Sequence, residues 1–287
     1  MAAAFDFWLG QPWALVSLLA LLGLLVGSFL NVVIHRLPKM LEADWRAECA
    51  EFLGQAPPET PRYDLMVPRS ACPACGTTIA ARHNVPVLSY LFLRGRCGAC
   101  RAPIGARYPL VELLTAALFA LLGWHFGPGV QLAGGLVLTA ALIALTFIDA
   151  DTQLLPDSLT LPLLWAGLLF HLVTGTLPLA DALWGAIAGY LSLWSVYWLF
   201  RLVTGKEGMG FGDFKLLAAL GAWLGWTMLP LVILLSSLVG ALVGVVLIAL
   251  SRHGRGQPLP FGPYLAAAGW IAYVWGGDIV RWYLNGA

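Results

Sequence analysis

Long apolar stretches free of charged residues dominate the pattern of this chain. Residues 7–34, 113–148 and 216–251 contain no Asp, Glu, Lys or Arg. A helix that crosses the hydrocarbon core of a bilayer needs about 20 predominantly apolar residues, and a soluble core has little use for runs this long. The pattern therefore predicts an all-α integral membrane protein.

Glycine and proline divide the apolar sequence into separate helices, because both residues interrupt helical structure. One break lies at residues 125–129, a second at Gly175 and Pro178, and a third near Pro230. We expect about eight transmembrane helices, at residues 12–34, 110–126, 130–148, 157–174, 181–203, 213–229, 231–250 and 261–283.

The first apolar stretch differs from a secretory signal peptide. No basic segment precedes it, and it ends at His35 and Arg36 without a small-residue cleavage site. We interpret residues 1–35 as a retained first transmembrane helix, residues 36–109 as a polar insert, and residues 110–287 as a seven-helix membrane domain.

The basic residues lie almost entirely on one side of the predicted membrane. Of the 16 Lys and Arg residues, all except Arg281 fall on the side that holds the insert. An excess of Lys and Arg marks cytoplasmic loops, so we expect a cytoplasmic insert and periplasmic termini. Charged residues make up only 11% of the chain, and the net charge is +1. This composition gives no indication of a polyanion, and we expect no nucleic-acid partner.

Four of the five cysteines form two CxxC pairs within the insert, Cys72 with Cys75 and Cys97 with Cys100. Such paired turns are typical of a zinc ribbon, in which four thiolates close a tetrahedral structural site. Reduced thiols without metal and a redox pair are the alternatives. Because the insert is predicted to be cytoplasmic, stable disulfides are not expected. Cys49 has no partner at CxxC spacing.

Two acidic segments flank predicted helices at the cytoplasmic boundary. Asp149 lies in the segment 147–157, after the third helix, and Asp213 lies in the segment 208–215, which opens the sixth. Two carboxyl groups from different helices can share a proton, so that one activates water while the other protonates a carbonyl oxygen. The alternative is structural, because Asp often caps helices, and Asp157 precedes a helix as well.

These motifs closely resemble those of the bacterial prepilin leader peptidases, a family of GxGD membrane aspartic peptidases. The resemblance covers the end of the first helix at residues 27–38, the paired CxxC insert, the acidic segment 147–157, and the Gly-Phe-Gly-Asp motif at 210–213. It implies that Asp149 and Asp213 are the catalytic pair, at the cytoplasmic face of the bacterial inner membrane.

The resemblance also implies the substrates, which are the precursors of type IV pilins and of type II secretion pseudopilins. Their basic leader is removed after a glycine, where an apolar helix begins. Many relatives with the cysteine insert then methylate the new N-terminus with S-adenosylmethionine. The insert is the candidate region for this cofactor, through residues 93–97, and Gly95 is the candidate residue.

Two other classes of function compete with the peptidase. An ion-coupled membrane transporter would favour acidic residues near the middle of the bilayer and two recognisable halves, and the insert interrupts any such symmetry. A zinc-bearing scaffold of a secretion machine would place no requirement on Asp149 or Asp213.

Overall fold

The structure, a computed structural model, describes residues 12–56, 61–80, 83–206, 208–250 and 259–286. These residues are mostly helical and contain only two isolated β-bridges, which confirms the predicted all-α class. The chain forms two compact units, Met1–Pro128 and Gly129–Ala287.

The first unit contains two long helices and one short helix: α1 (Pro12–Phe52), α2 (Leu88–Phe92) and α3 (Arg107–Phe126). The sequence predicts that the first helix ends at residue 34, but α1 continues without interruption to Phe52. Its second half is rich in Glu and Ala and also contains Leu, Arg and Lys, all of which favour helix in water as well as in lipid. At 41 residues, α1 is about 60 Å long and therefore exceeds the hydrocarbon core of about 30 Å.

Two glycines bring α1 against α3. A Cβ added at Gly23 would lie 2.5 Å from Ala116 Cα, and one added at Gly27 would lie 2.7 Å from Glu112 Cα. No side chain fits at these distances. Glycines four residues apart are a common means of close helix packing in membranes, and here they fix the pairing of the first two apolar helices.

Buried polar contacts attach the insert to this helix pair. The guanidinium of Arg36, which is only 7% exposed, donates to the backbone carbonyls of Asp64 at 2.8 Å and Pro68 at 2.6 Å. The backbone N–H of Val87 donates to the carboxylate of Glu112 on α3 at 2.7 Å. Buried polar groups are stable only when they are hydrogen-bonded, so these contacts fix the insert to α1 near Asp64 and Pro68 and to α3 near Val87.

The second unit contains six long helices and the 3₁₀ turn Trp226–Met228. The helices are α4 (Val130–Thr152), α5 (Asp157–Thr174), α6 (Leu179–Thr204), α7 (Phe211–Leu224), α8 (Leu229–Ala249) and α9 (Gly262–Gly286).

Helix α7 lies at the centre of this second unit. It packs on α5, α6 and α9, and no residue from Asp213 to Gly225 is exposed. Glycines on α6 permit the closest approach, since a Cβ at Gly189 would lie 2.6 Å from the carbonyl oxygen of Leu217. The indole N–H of Trp223 donates to the carbonyl of Leu163 on α5 at 2.8 Å. Backbone and side-chain contacts thus fix α7 on two sides.

The predicted helix boundaries agree with the structure to within about four residues, apart from two larger differences. Eight of the described helices have 14 residues or more, and six of them are long and apolar enough to cross a membrane. The first difference is the longer α1. The second is the break in the 216–251 stretch, which lies at Gly225, where φ is +78°. Pro230 is in the first turn of α8, where proline is tolerated. Eight membrane passes remain a prediction.

Candidate active site and metal centre

Asp149 and Asp213 lie at the ends of two helices in the second unit. Asp149 is in the last turn of α4, inside the helix and not after it as the sequence suggested. Asp213 is in the first turn of α7. The two residues are only 5% and 7% exposed. Such burial is unusual for Asp, and it sets these residues apart from Asp151 and Asp157, which are exposed.

The fold brings the two carboxyl groups close enough to interact electrostatically. Asp149 Oδ2 accepts a hydrogen bond of 2.9 Å from the backbone N–H of Gly262, the first residue of α9. Asp213 Oδ1 is buried and has no hydrogen-bond partner among the described residues. A buried acceptor without a partner is costly, and such atoms concentrate at functional sites.

The glycines before Asp213 have two different surroundings. A Cβ added at Gly212 would lie 2.7 Å from Leu155 Cβ, so this glycine is required by packing within the chain. Gly210 precedes α7 in an extended conformation, and the nearest atom to its added Cβ is Asp213 Oδ2 at 3.9 Å. Gly210 is therefore the glycine that leaves space beside the carboxyl group of Asp213.

Neighbouring charges stabilise the helix ends. The ammonium of Lys215 donates to both carboxylate oxygens of Asp157 at 2.7 Å, which joins the N-terminal part of α7 to the first residue of α5. The side chain of Asp157 therefore forms an ion pair and not a helix cap. The cap position of α5 is held by Pro156.

The four cysteines of the two CxxC pairs come together in the first unit. The Sγ atoms of Cys72, Cys75, Cys97 and Cys100 all lie within 4.8 Å of one another. The Sγ atoms of Cys72 and Cys100 are 3.8 Å apart. Four thiolates at the usual zinc–sulfur distance of about 2.3 Å form a tetrahedron with edges of about 3.8 Å. The cluster therefore fits a structural zinc ion, and Cys49 is outside it.

The two CxxC segments adopt the same turn. The N–H of Cys72 donates to Thr77 O at 3.0 Å, and the N–H of Cys97 donates to Ala102 O at 2.8 Å. The residue after each second cysteine has positive φ, +69° at Gly76 and +62° at Arg101. The two turns thus share one backbone conformation, and each turn directs two sulfur atoms toward a common point.

Hydrogen bonds favour the thiolate form of two of the four cysteines. The Thr77 hydroxyl, 3.3 Å from the Cys75 sulfur, lowers the pKa of Cys75 to about 6. Backbone N–H groups of Cys100 and Ala99 lower the pKa of Cys97. For Cys100, the N–H of Ala102 favours the thiolate, but the sulfur of Cys75 opposes it, and the pKa rises to about 11. Four adjacent thiolates repel one another, and a divalent cation would remove this repulsion.

Gly95 lies in the turn that leads into the second CxxC segment. Its φ is +66°, and a Cβ added there would lie 3.0 Å from the Tyr90 ring. Its carbonyl accepts the N–H of Ile104 at 2.7 Å. The position thus has a structural requirement for glycine, which is independent of the cofactor interpretation.

Comparison with known proteins identifies both units. The pattern of the Bacterial Peptidase A24 N-terminal domain matches residues 21–126, and that of the Type IV leader peptidase family matches residues 136–245. Among curated proteins, the Prepilin leader peptidase/N-methyltransferase of Aeromonas salmonicida is 60% identical over 96% of this chain and 96% of its own length. Relatives with the same name from Pseudomonas aeruginosa (59%, over 98% and 97%) and Neisseria gonorrhoeae (51%, over 96% and 96%) are also similar.

The chain belongs to the prepilin leader peptidase/N-methyltransferase family. This confirms the resemblance found in the sequence motifs, and it favours the peptidase over the transporter and scaffold alternatives. The N-terminal family pattern contains the four-cysteine cluster, and the leader peptidase pattern contains both buried aspartates. Gly262 lies beyond the matched residues, and the sequence motifs gave no signal for it. No solved structure matches the chain.

Proposed function

We propose that this chain is a membrane aspartic endopeptidase that removes the basic leader from type IV prepilins and from type II secretion pseudopilins. The observation that carries the proposal is the presence of two buried carboxyl groups, Asp149 and Asp213, within electrostatic range of each other at helix ends in the second unit. Isolated buried carboxylates are costly, so a pair of them without a full set of hydrogen-bond partners is best explained by chemistry.

The proposed mechanism uses the pair as a unit. Two adjacent carboxyl groups share one proton, because both cannot be ionised at low cost. One of them activates a water molecule as a base, and the other protonates the carbonyl oxygen of the scissile peptide. The buried Oδ1 atom of Asp213, which has no partner within the described residues, is positioned to accept a proton from that water.

The orientation of the chain completes this proposal. With the insert and the aspartates at the cytoplasmic face of the inner membrane, a basic leader stays in the cytoplasm, the apolar segment enters the bilayer, and the scissile bond lies at the boundary between them. The positive-inside distribution supports this orientation. Three residues of the basic set, Arg82, Arg252 and Arg255, lie outside the described residues.

We predict that both termini are periplasmic. A cysteine placed at position 4, which lies outside the described residues, or at position 286 should react with a membrane-impermeant maleimide added to intact cells. The native Cys49, which is exposed but predicted to be cytoplasmic, is the internal control and should react only after permeabilisation. Labelling of only one terminus would contradict the count of eight passes.

The second proposed activity is methylation of the new N-terminus with S-adenosylmethionine, as the names of the relatives suggest. We assign this activity to the insert, with Gly95 as the candidate cofactor residue and zinc, held by the four cysteines, as a structural ion. Because Gly95 also shapes the turn before Cys97, a substitution there must be compared with the zinc content before it is attributed to cofactor binding.

One experiment tests both activities. The purified chain is incubated with a type IV prepilin and S-adenosylmethionine, and the mature N-terminus is read by mass spectrometry. We expect cleavage after the glycine at the junction and a mass increase of one methyl group at the new N-terminal residue. Cleavage without methylation would restrict the proposal to the peptidase, and an intact prepilin would reject it.

A further inference from the structure

The first turn of α9 contributes one backbone donor to the acidic site. The first N–H groups of a helix have no partner within the helix. Here Pro263 has no N–H, and the N–H groups of the next two residues donate to the carbonyl of Phe261. The N–H of Gly262 donates instead to Asp149 Oδ2 at 2.9 Å, across a sequence separation of 113 residues.

A side chain at position 262 would also collide with the carboxyl group of Asp149. An added Cβ would lie 2.7 Å from Asp149 Oδ2 and 3.2 Å from Leu155 Cδ2. The φ of Gly262 is not in the left-handed region, so backbone conformation does not demand glycine here. The requirement is spatial, because only glycine lets the start of α9 approach the carboxyl group to hydrogen-bond distance.

Leu155 connects this contact to the second aspartate. Its side chain lies against both Gly262 and Gly212, and Gly212 directly precedes Asp213. The Asp149 carboxyl group is therefore held by the backbone of α4 and by the N–H at the start of α9, and Leu155 packs beside the same glycine. The positive end of the α9 macrodipole faces the same carboxyl group.

We propose that Gly262 is a positioning residue of the catalytic pair. Its N–H fixes the rotamer of Asp149, and its missing side chain keeps open the space that the Asp149 carboxyl group occupies. The catalytic meaning of this contact rests on the proposed role of Asp149. It extends the functional centre to the last helix, beyond the residues matched by the family pattern.

The first test is Gly262→Ala. A displacement of about 1 Å in a catalytic group can cost about 10²-fold in rate, so we expect kcat per folded molecule to fall about 10²-fold while KM is unchanged. The matched control is Gly277→Ala in the same helix, where an added Cβ meets nothing within 4 Å and kcat should be unchanged. An unchanged kcat in Gly262→Ala would overturn the proposal.

A double-mutant cycle tests the contact without using activity. Gly262→Ala should lower the thermal midpoint of the protein when Asp149 is present. In an Asp149→Ala background the opposing oxygen is absent, and the same substitution should cost much less. Substitutions of two residues in contact change the stability non-additively, whereas the effects of substitutions at independent positions add up. Additive shifts would overturn the proposal even if Asp149 proves catalytic. Conversely, a non-additive cycle in a protein whose Asp149→Asn variant still cleaves would reject the catalytic pair and leave the contact established.

A backbone substitution at position 262 distinguishes the effect of the hydrogen bond to Asp149 from the effect of the missing side chain. Incorporation of glycolic acid at position 262 in cell-free synthesis replaces the N–H with an ester oxygen and adds no side chain. We expect a fall in kcat at unchanged KM, because loss of one aligned donor leaves Asp149 free to rotate. Wild-type kcat in this variant would overturn the role of the N–H group.

Discussion

Replacement of either Asp149 or Asp213 with Asn is expected to reduce cleavage of a prepilin by about 10²- to 10⁴-fold. Asn has nearly the same shape as Asp, so packing in the second unit should be preserved. It cannot accept the proton of the attacking water or share a proton with its partner. The measurement is the initial rate of leader release with purified protein in detergent, followed by mass spectrometry of the product.

The matched control for these variants is Asp151→Asn. Asp151 lies on the same helix as Asp149 but is exposed, so its variant should cleave at the wild-type rate. Methylation supplies a second control, because a synthetic peptide that already has the mature N-terminus should still be methylated by the Asp149 and Asp213 variants. Full cleavage by either Asp variant would falsify the catalytic pair.

Replacement of Cys75 with Ser is expected to remove zinc from the protein. The wild-type chain should contain one zinc ion per molecule, and the variant none, since a hydroxyl is a poor substitute for a thiolate. Structural zinc in small peptides contributes about 10–16 kcal/mol of apparent binding energy, so the insert should lose its fold while the membrane helices still insert. Metal content by mass spectrometry and the cleavage pattern of a soluble protease would report the two effects separately.

Cys49→Ser is the control for the zinc experiment. Cys49 is an exposed thiol outside the four-cysteine cluster, so its variant should retain the metal and the protease resistance of the insert. A gently purified wild-type protein without zinc, or a Cys75→Ser variant with the full amount, would rule out the metal assignment.

The sequence predicted most of the helices because hydrophobic length is a local property. Residues 130–148 and 157–174 could be assigned to helices from composition alone, and the structure places α4 and α5 there. The break in the 216–251 stretch was assigned to Pro230, although it lies at Gly225. Both residues disrupt helices, and only the packing of Gly225, whose added Cβ would meet Leu177 at 3.0 Å, identifies the actual turn.

The candidate site was predictable to the extent that it depends on motifs. Asp149, Asp213 and the four cysteines each lie in a short pattern with a chemical meaning. Gly262 lies in no such pattern, because its contact with Asp149 is a long-range backbone hydrogen bond. Hydrophobic periodicity and residue type carry no information on which distant carboxylate receives the first N–H of a helix.

Because α7 is central in its unit, the depth of the acidic site does not depend on the thickness of the bilayer. With 14 residues, α7 is about 21 Å long, well short of the hydrocarbon core of about 30 Å. A lipid-facing helix of this length would suffer hydrophobic mismatch, and its depth would change with the acyl chains around it. Because α5, α6 and α9 enclose α7, protein neighbours and not lipids set the depth of Asp213. In a thinner or thicker membrane, the outer helices therefore adjust to the lipids, and the geometry of the acidic pair stays the same.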